Sequence, residues 1–110
     1  LGVLLDRCFK IALVTDGRLS GASGKVPSAI HVTPEAYDGG LLAKVRDGDM
    51  IRVNGQTGEL TLLVDEAELA ARQPHIPDLS AMRVGTGREM FGALREKLSG
   101  AEQGATCIDF

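Results

Sequence analysis

No apolar run in this chain extends beyond four or five residues before a glycine, a proline or a charge interrupts it. Runs of that length suit strands, which average about five or six residues. They rule out a helix that spans a membrane, which needs about 20 apolar residues. Fourteen of the 110 residues are glycine, about twice the usual share of roughly 7%. The chain therefore reads as short segments joined by tight turns, and its length accommodates one hydrophobic core. Leu1 to Asp6 carry neither the basic lead nor the small-residue cleavage site of a secretory leader. The first residue is leucine, not methionine, so the expectation is a single domain over 1–110 cut from a longer protein.

Twelve basic against fifteen acidic residues leave a net charge of −3. A nucleic-acid module shows a basic excess, and aromatics at 4% are too few for a base-stacking platform. Nucleic acid and membrane are accordingly not expected partners. Cys8 and Cys107 lie near opposite ends, in no CxxC pair and no Cys/His cluster. They assemble no zinc or iron–sulfur site from this chain alone, and two free thiols in a reducing cytoplasm are the better reading.

Several elements can be placed. Phe9 to Thr15, FKIALVT, suits a strand buried on both faces, and Ala29 to Val32 a second one. Thr33 and Pro34 look like the N-cap and first position of a short helix that Gly39-Gly40 ends. Asp47-Gly48 reads as a hairpin turn between strands Leu41–Val45 and Asp49–Val53. NGQTG, Asn54 to Gly58, is another turn, leading to a strand over Glu59–Val64. Asp65 caps a helix over Glu66–Arg72, with Glu68 at the capping-box position. An extended connector with Pro74 and Pro77 follows. The last helix is expected to start in a capping box at Thr86–Glu89, bury Phe91, Leu94 and Leu98, and stop at Gly100. The sum is β-rich α+β, closer to a small barrel flanked by short helices than to a doubly wound sheet.

The loop TDGRLSGASGK, Thr15 to Lys25, is the segment richest in chemistry. It leaves a strand, so a rigid edge presents it. Gly17, Gly21 and Gly24 let the backbone approach a ligand and expose amide donors, while Arg18, Ser20, Ser23 and Lys25 add charge and hydroxyls. It could hold an anion, activate a serine, or be a plain surface turn. A Walker phosphate loop fails, because Leu19 and Val26 stand where a glycine and a serine or threonine belong. GTGREM at Gly85 to Met90 lacks the third glycine of a dinucleotide fingerprint, and helix capping explains it better. Ser20 is not in a GxSxG elbow, since Arg18 and Ala22 flank it. His31 reads as a core histidine, His75 as surface, Asp47 and Asp49 as solvated turn formers, and Met82 and Met90 as core filler.

ALVTDGRLSGASGKVPSAIHVTPEAYDGG followed by KVRDGDMIRV resembles the C-terminal domain of the dihydroxy-acid/6-phosphogluconate dehydratase family. The matching residues are Thr15 to Arg18, Ser20-Gly21, His31 to Ala36, Gly39-Gly40 and Asp47 to Met50, with Thr33 where serine is commoner. SGASGKVPSAIH and GTGREMFGALR are similar to the 6-phosphogluconate branch rather than the branch of branched-chain amino acid synthesis.

The resemblance implies a swivelling β/β/α domain and a cytoplasmic hydro-lyase of the Entner–Doudoroff pathway. Its substrate would be 6-phospho-D-gluconate and its product 2-dehydro-3-deoxy-6-phosphogluconate. It implies a 4Fe–4S cluster bound by cysteines of an N-terminal domain of the same protein, leaves room for a divalent cation such as Mg, and implies a homodimer at full length. No metal ligand is assigned in this chain, which alone is expected to be inactive. Ser20 is implied as the base, its alkoxide stabilised by a cation and glycine amides. Asp16, Gly17, Arg18, Gly21, Ser23, Gly24 and Lys25 are implied as substrate-binding. Lys25 with Gly24 is one expected phosphate contact, and the amino end of the last helix, Thr86 to Arg88, is its rival.

Overall fold

The computed structural model describes residues 1–21 and 24–108. A single-turn helix α1 (Gly2–Asp6) precedes strand β1 (Leu13–Val14), which pairs in parallel with β2 (Ser28–Ala29). Parallel pairing demands a crossover, and the glycine-rich loop is that crossover. An antiparallel hairpin of β3 (Ile51–Asn54) and β4 (Glu59–Leu62) forms a second sheet, in the register Ile51↔Leu62 to Asn54↔Glu59. Helices α2 (Glu66–Ala71) and α3 (Gly92–Glu96) follow, and short 3₁₀ turns occupy much of the rest.

The two two-stranded sheets share no strand, so the barrel expected from the sequence is not closed among the described residues. The reason lies in strand length. Only Leu13–Val14 of the expected Phe9–Thr15 segment is regular strand, and it is half-buried, not enclosed on both faces. Pro27, at the start of the partner strand, has no N–H to give and contributes only its carbonyl, to the Leu13 amide at 2.9 Å.

Segment 41–44 is a 3₁₀ turn, not a strand. The Asp47-Gly48 turn does form, with Gly48 at φ +93°. It joins that 3₁₀ turn to β3 and makes no hairpin. The hairpin forms one turn later, where Asn54 Oδ1 accepts from the Gln56 and Thr57 amides at 3.0 and 3.3 Å. Asp65 caps α2 as expected, accepting from the Ala67 and Glu68 amides at 2.9 and 3.3 Å. Glu68 does not return a capping bond; its carboxylate turns to Arg72.

Arg72 is the linchpin of this half of the chain. Its side chain is only 8% exposed and makes a bidentate pair with Asp49, itself 10% exposed. It also bonds Glu68 at 2.6 Å and the Lys44 carbonyl at 3.1 Å. Asp49 is therefore not a solvated turn former. Its fork with the Arg72 guanidinium, and a 2.8 Å bond from the Arg46 amide, bring its pKa down from the usual 3.8 to about 2. Lys44 Nζ reaches the Leu69 carbonyl at 3.0 Å, a second tie between α2 and the 3₁₀ turn.

The apolar residues find little cover. Ala43 is the one buried apolar residue among those described. The radius of gyration is 16.7 Å, against about 13 Å for a compact chain of this length. The accessible surface is 8815 Å², where a free-standing globule of this mass shows roughly 5,800 Å². Met82 and Met90, expected as core filler, are 64% and 82% exposed, and Phe91, Leu94 and Leu98 lie open too. Only five residues of the last helix are α-helical, preceded by a 3₁₀ turn over Arg88–Phe91. Its apolar stripe is therefore presented outward, with nothing among the described residues to receive it.

One glycine is dictated by contact. The Gly40 amide bonds the Glu35 carbonyl at 2.9 Å, and a Cβ there would sit 1.8 Å from the Pro34 oxygen. Gly40→Ala is expected to destabilise the protein by roughly 1–3 kcal/mol, as overpacking against backbone does. Chemical denaturation of the variant beside the unmodified protein measures it, and an unchanged midpoint would contradict this packing.

Candidate functional site

The 33–40 segment positions the glycine-rich loop. Asp16 Oδ2 accepts the Ala36 amide at 2.8 Å, so an aspartate expected at the substrate caps the turn Ala36–Asp38. The expected cap, Thr33, does not fill that place: the cap residue is Glu35, and it makes no side-chain cap bond. The Gly17 amide bonds its neighbour Thr15 Oγ1 at 3.0 Å, and the Gly17 carbonyl accepts from the His31 amide at 3.1 Å. With Thr15 N donating to the Ala29 carbonyl at 2.9 Å, these bonds prolong the β1–β2 pairing past the strand ends and hold both ends of the loop together.

The loop then divides. Ser20, Gly21 and Gly24 line one open depression together with Leu19, Val26 and Ile30. Ser20 is exposed, and its hydroxyl makes no hydrogen bond among the described residues. Gly24 has φ +65°, a left-handed conformation that explains glycine there. Lys25 is exposed beside it. Ser23 lies outside the described residues. Arg18 points the site in a second direction: it lines a separate depression with His31, Ala101, Gly104 and Ala105.

His31 is not the core histidine expected. It is exposed and holds φ +53°, uncommon for any residue with a Cβ. Nothing in the apolar alternation around it signals that turn; the signal sits in its backbone bond to Gly17. His75 is at the surface, as expected. The rival phosphate position, Thr86–Arg88, lies beside a carboxylate-to-amide bond. Glu89 Oε1 takes the Gly85 amide at 2.7 Å, which holds the Glu89 carboxyl below its ordinary range.

Cys8 and Cys107 carry free thiols. Among the described residues no three histidine, cysteine or acidic side chains gather around a metal position. Two separated thiols do not fit an iron–sulfur cluster, which takes three or four cysteines in one place. No helix among the described residues is long and apolar enough to cross a membrane.

A short parallel pair presents the serine-bearing, glycine-rich loop. The chain belongs to the family described as "Dihydroxy-acid/6-phosphogluconate dehydratase C-terminal", which matches residues 3–105. It is 94% identical over all 110 residues to a phosphogluconate dehydratase of Escherichia coli (strain K12), of which it covers 18%. It is 60% identical over 105 residues, 96% of the chain, to a phosphogluconate dehydratase of Pseudomonas aeruginosa, covering 17% of that protein. A phosphogluconate dehydratase of Zymomonas mobilis is 53% identical over 108 residues, 98% of this chain and 18% of its own length. The chain thus spans less than a fifth of the curated relatives it matches.

Proposed function

We propose that this chain is the C-terminal swivelling domain of a cytoplasmic, homodimeric hydro-lyase that removes water from 6-phospho-D-gluconate. The observation that carries the reading is the agreement of the whole chain with phosphogluconate dehydratases, joined to the exposed Ser20 of the loop, whose hydroxyl makes no hydrogen bond among the described residues.

In the substrate, the proton on C2 lies α to the carboxylate and the leaving hydroxyl is on C3. Ser20, as alkoxide, takes the C2 proton; the C2–H electrons form the C2–C3 double bond and the C3–O bond breaks. The resulting enol becomes the 2-oxo acid, 2-dehydro-3-deoxy-6-phosphogluconate. Gly21 and Gly24 border the same depression, and their amides are the donors we assign to a negative Ser20 oxygen. The acid that the departing hydroxyl needs comes from outside this chain. So do the ligands of the 4Fe–4S cluster, or of a divalent cation such as Mg, that members of this class would carry. Closure of this domain on the N-terminal domain brings Ser20 to the substrate. The uncovered apolar surface, and a barrel left open among the described residues, support such a partner, against which the β-rich core is completed.

Formation of the 2-oxo acid from 6-phospho-D-gluconate tests the reading. The full-length enzyme is expected to form it, and the enzyme truncated before Leu1 is not. Undiminished activity in the truncated enzyme would overturn the role given to this domain.

A further inference from the structure

The depression around Arg18 and His31 is separate from the one that holds Ser20, and the expectations from sequence did not connect its walls. One wall is the TDGR loop and the residue to which it is pinned: the His31 amide bonds the Gly17 carbonyl at 3.1 Å, setting His31 beside Arg18. The other is a turn some seventy residues further along the chain, Ala101 to Ala105.

Two carboxylate-to-amide bonds hold these walls in place. Asp16 Oδ2 accepts from Ala36 at 2.8 Å, and the neighbouring Glu35 Oε1 accepts from Ala101 at 3.0 Å. Both of these carboxylates are thereby bound to backbone donors, while Glu102, in the second wall's own turn, lines the neighbouring depression with Glu35. Arg18 and His31 keep their side-chain donors unused among the described residues. The backbone is held in unusual states on both walls, with φ +53° at His31 and φ +48° at Ala105, both left-handed residues that carry a Cβ. Such conformations persist where surrounding structure fixes them, and they gather at ligand sites.

We propose that this depression is an oxyanion subsite, in which Arg18 supplies a guanidinium fork and His31 a ring N–H to a phosphate monoester or a carboxylate. The proposal rests on the reading of the chain as part of a sugar-acid dehydratase, whose substrate has one such group at each end.

Ala105 offers a test that spares the donors. Its left-handed backbone suits asparagine and aspartate better than most residues, so both variants are compatible with the turn and differ by one charge. In the full-length enzyme, Ala105→Asp is expected to raise KM for 6-phospho-D-gluconate about tenfold more than Ala105→Asn, because a carboxylate on the wall repels the bound anion. His31→Leu and Arg18→Met should raise KM in the same sense, and inorganic phosphate should compete less well against each. Comparison with unphosphorylated gluconate distinguishes the two sources. A rise on the phosphorylated acid alone identifies a phosphate subsite, and a like rise on both acids a carboxylate subsite.

Equal KM values for Ala105→Asp and Ala105→Asn would overturn the proposal, as would losses confined to kcat. If the unmodified enzyme dehydrates neither acid, the functional reading itself fails; if it does and the paired variants agree, only the subsite falls.

Discussion

Ser20→Ala in the full-length enzyme is expected to lower turnover by about 10²–10⁴-fold, the usual cost of losing a positioned general base, with the fold left intact. The physical ground is the isolation of this hydroxyl. It makes no hydrogen bond among the described residues and lies exposed, so its loss removes no contact that stabilises the chain. Thermal unfolding should therefore stay within a degree or two of the unmodified enzyme, as for other surface changes. Ser28, whose hydroxyl donates to the Val26 carbonyl at 3.0 Å, serves as the control. Ser28→Ala deletes a nearby serine hydroxyl already committed to backbone and should retain turnover. Steady-state rates on 6-phospho-D-gluconate decide the matter, and near-normal turnover in Ser20→Ala would take the base role from this residue.

The second large effect concerns the clamp. Arg72→Met takes the guanidinium fork from Asp49 in a place where its side chain is only 10% exposed, leaving it the Arg46 amide and the Arg46 charge, and releases Glu68 as well. Breaking a buried pair from one side costs far more than the pair itself contributes. Local opening should spread through the elements Arg72 joins: the 41–44 turn, the start of β3 and α2. Amide exchange at Leu69 and along Ile51–Leu62, followed by mass spectrometry in the full-length enzyme, should quicken on the order of 100-fold.

The pH dependence has a definite sign. Asp49 has its folded pKa lowered from 3.8 to about 2, so it contributes stability above the unfolded value that is lost as pH falls from about 4 towards 2. The exchange ratio of variant to unmodified protein should shrink over that interval. A ratio that stays constant from pH 7 to pH 3 would show that the clamp contributes through packing alone.

How much of this was legible in the chain differs from one residue to the next. Asp65 and the NGQTG turn were readable because their determinants are local: a side-chain oxygen reaching amides two and three residues on needs nothing from the rest of the protein. The Asp47-Gly48 signal was read as a turn correctly and as a hairpin wrongly. The turn depends on four residues, while the hairpin depends on whether Leu41–Lys44 finds a strand partner, and that segment coils into a 3₁₀ turn instead. Phe91, Leu94 and Leu98 have helical spacing, yet a stripe predicts burial only where a second surface arrives to cover it. The family was legible because its motif run is long and ordered, and the matched span, residues 3–105, bears it out.

The sequence by itself determined the local chemistry: a serine in a glycine-rich loop after a strand, and caps and turns at fixed offsets. Tertiary structure alone decided which distant residues meet. It set Asp16 on the Ala36 amide, closed Arg72 on Asp49 across 23 positions, and carried the Ala101–Ala105 turn to the side of Arg18 and His31. The physical reason is range. Capping and turn bonds repeat at short, constant separations that a sequence displays, whereas charge pairs and pocket walls form between segments whose separation along the chain bears no relation to their distance in space.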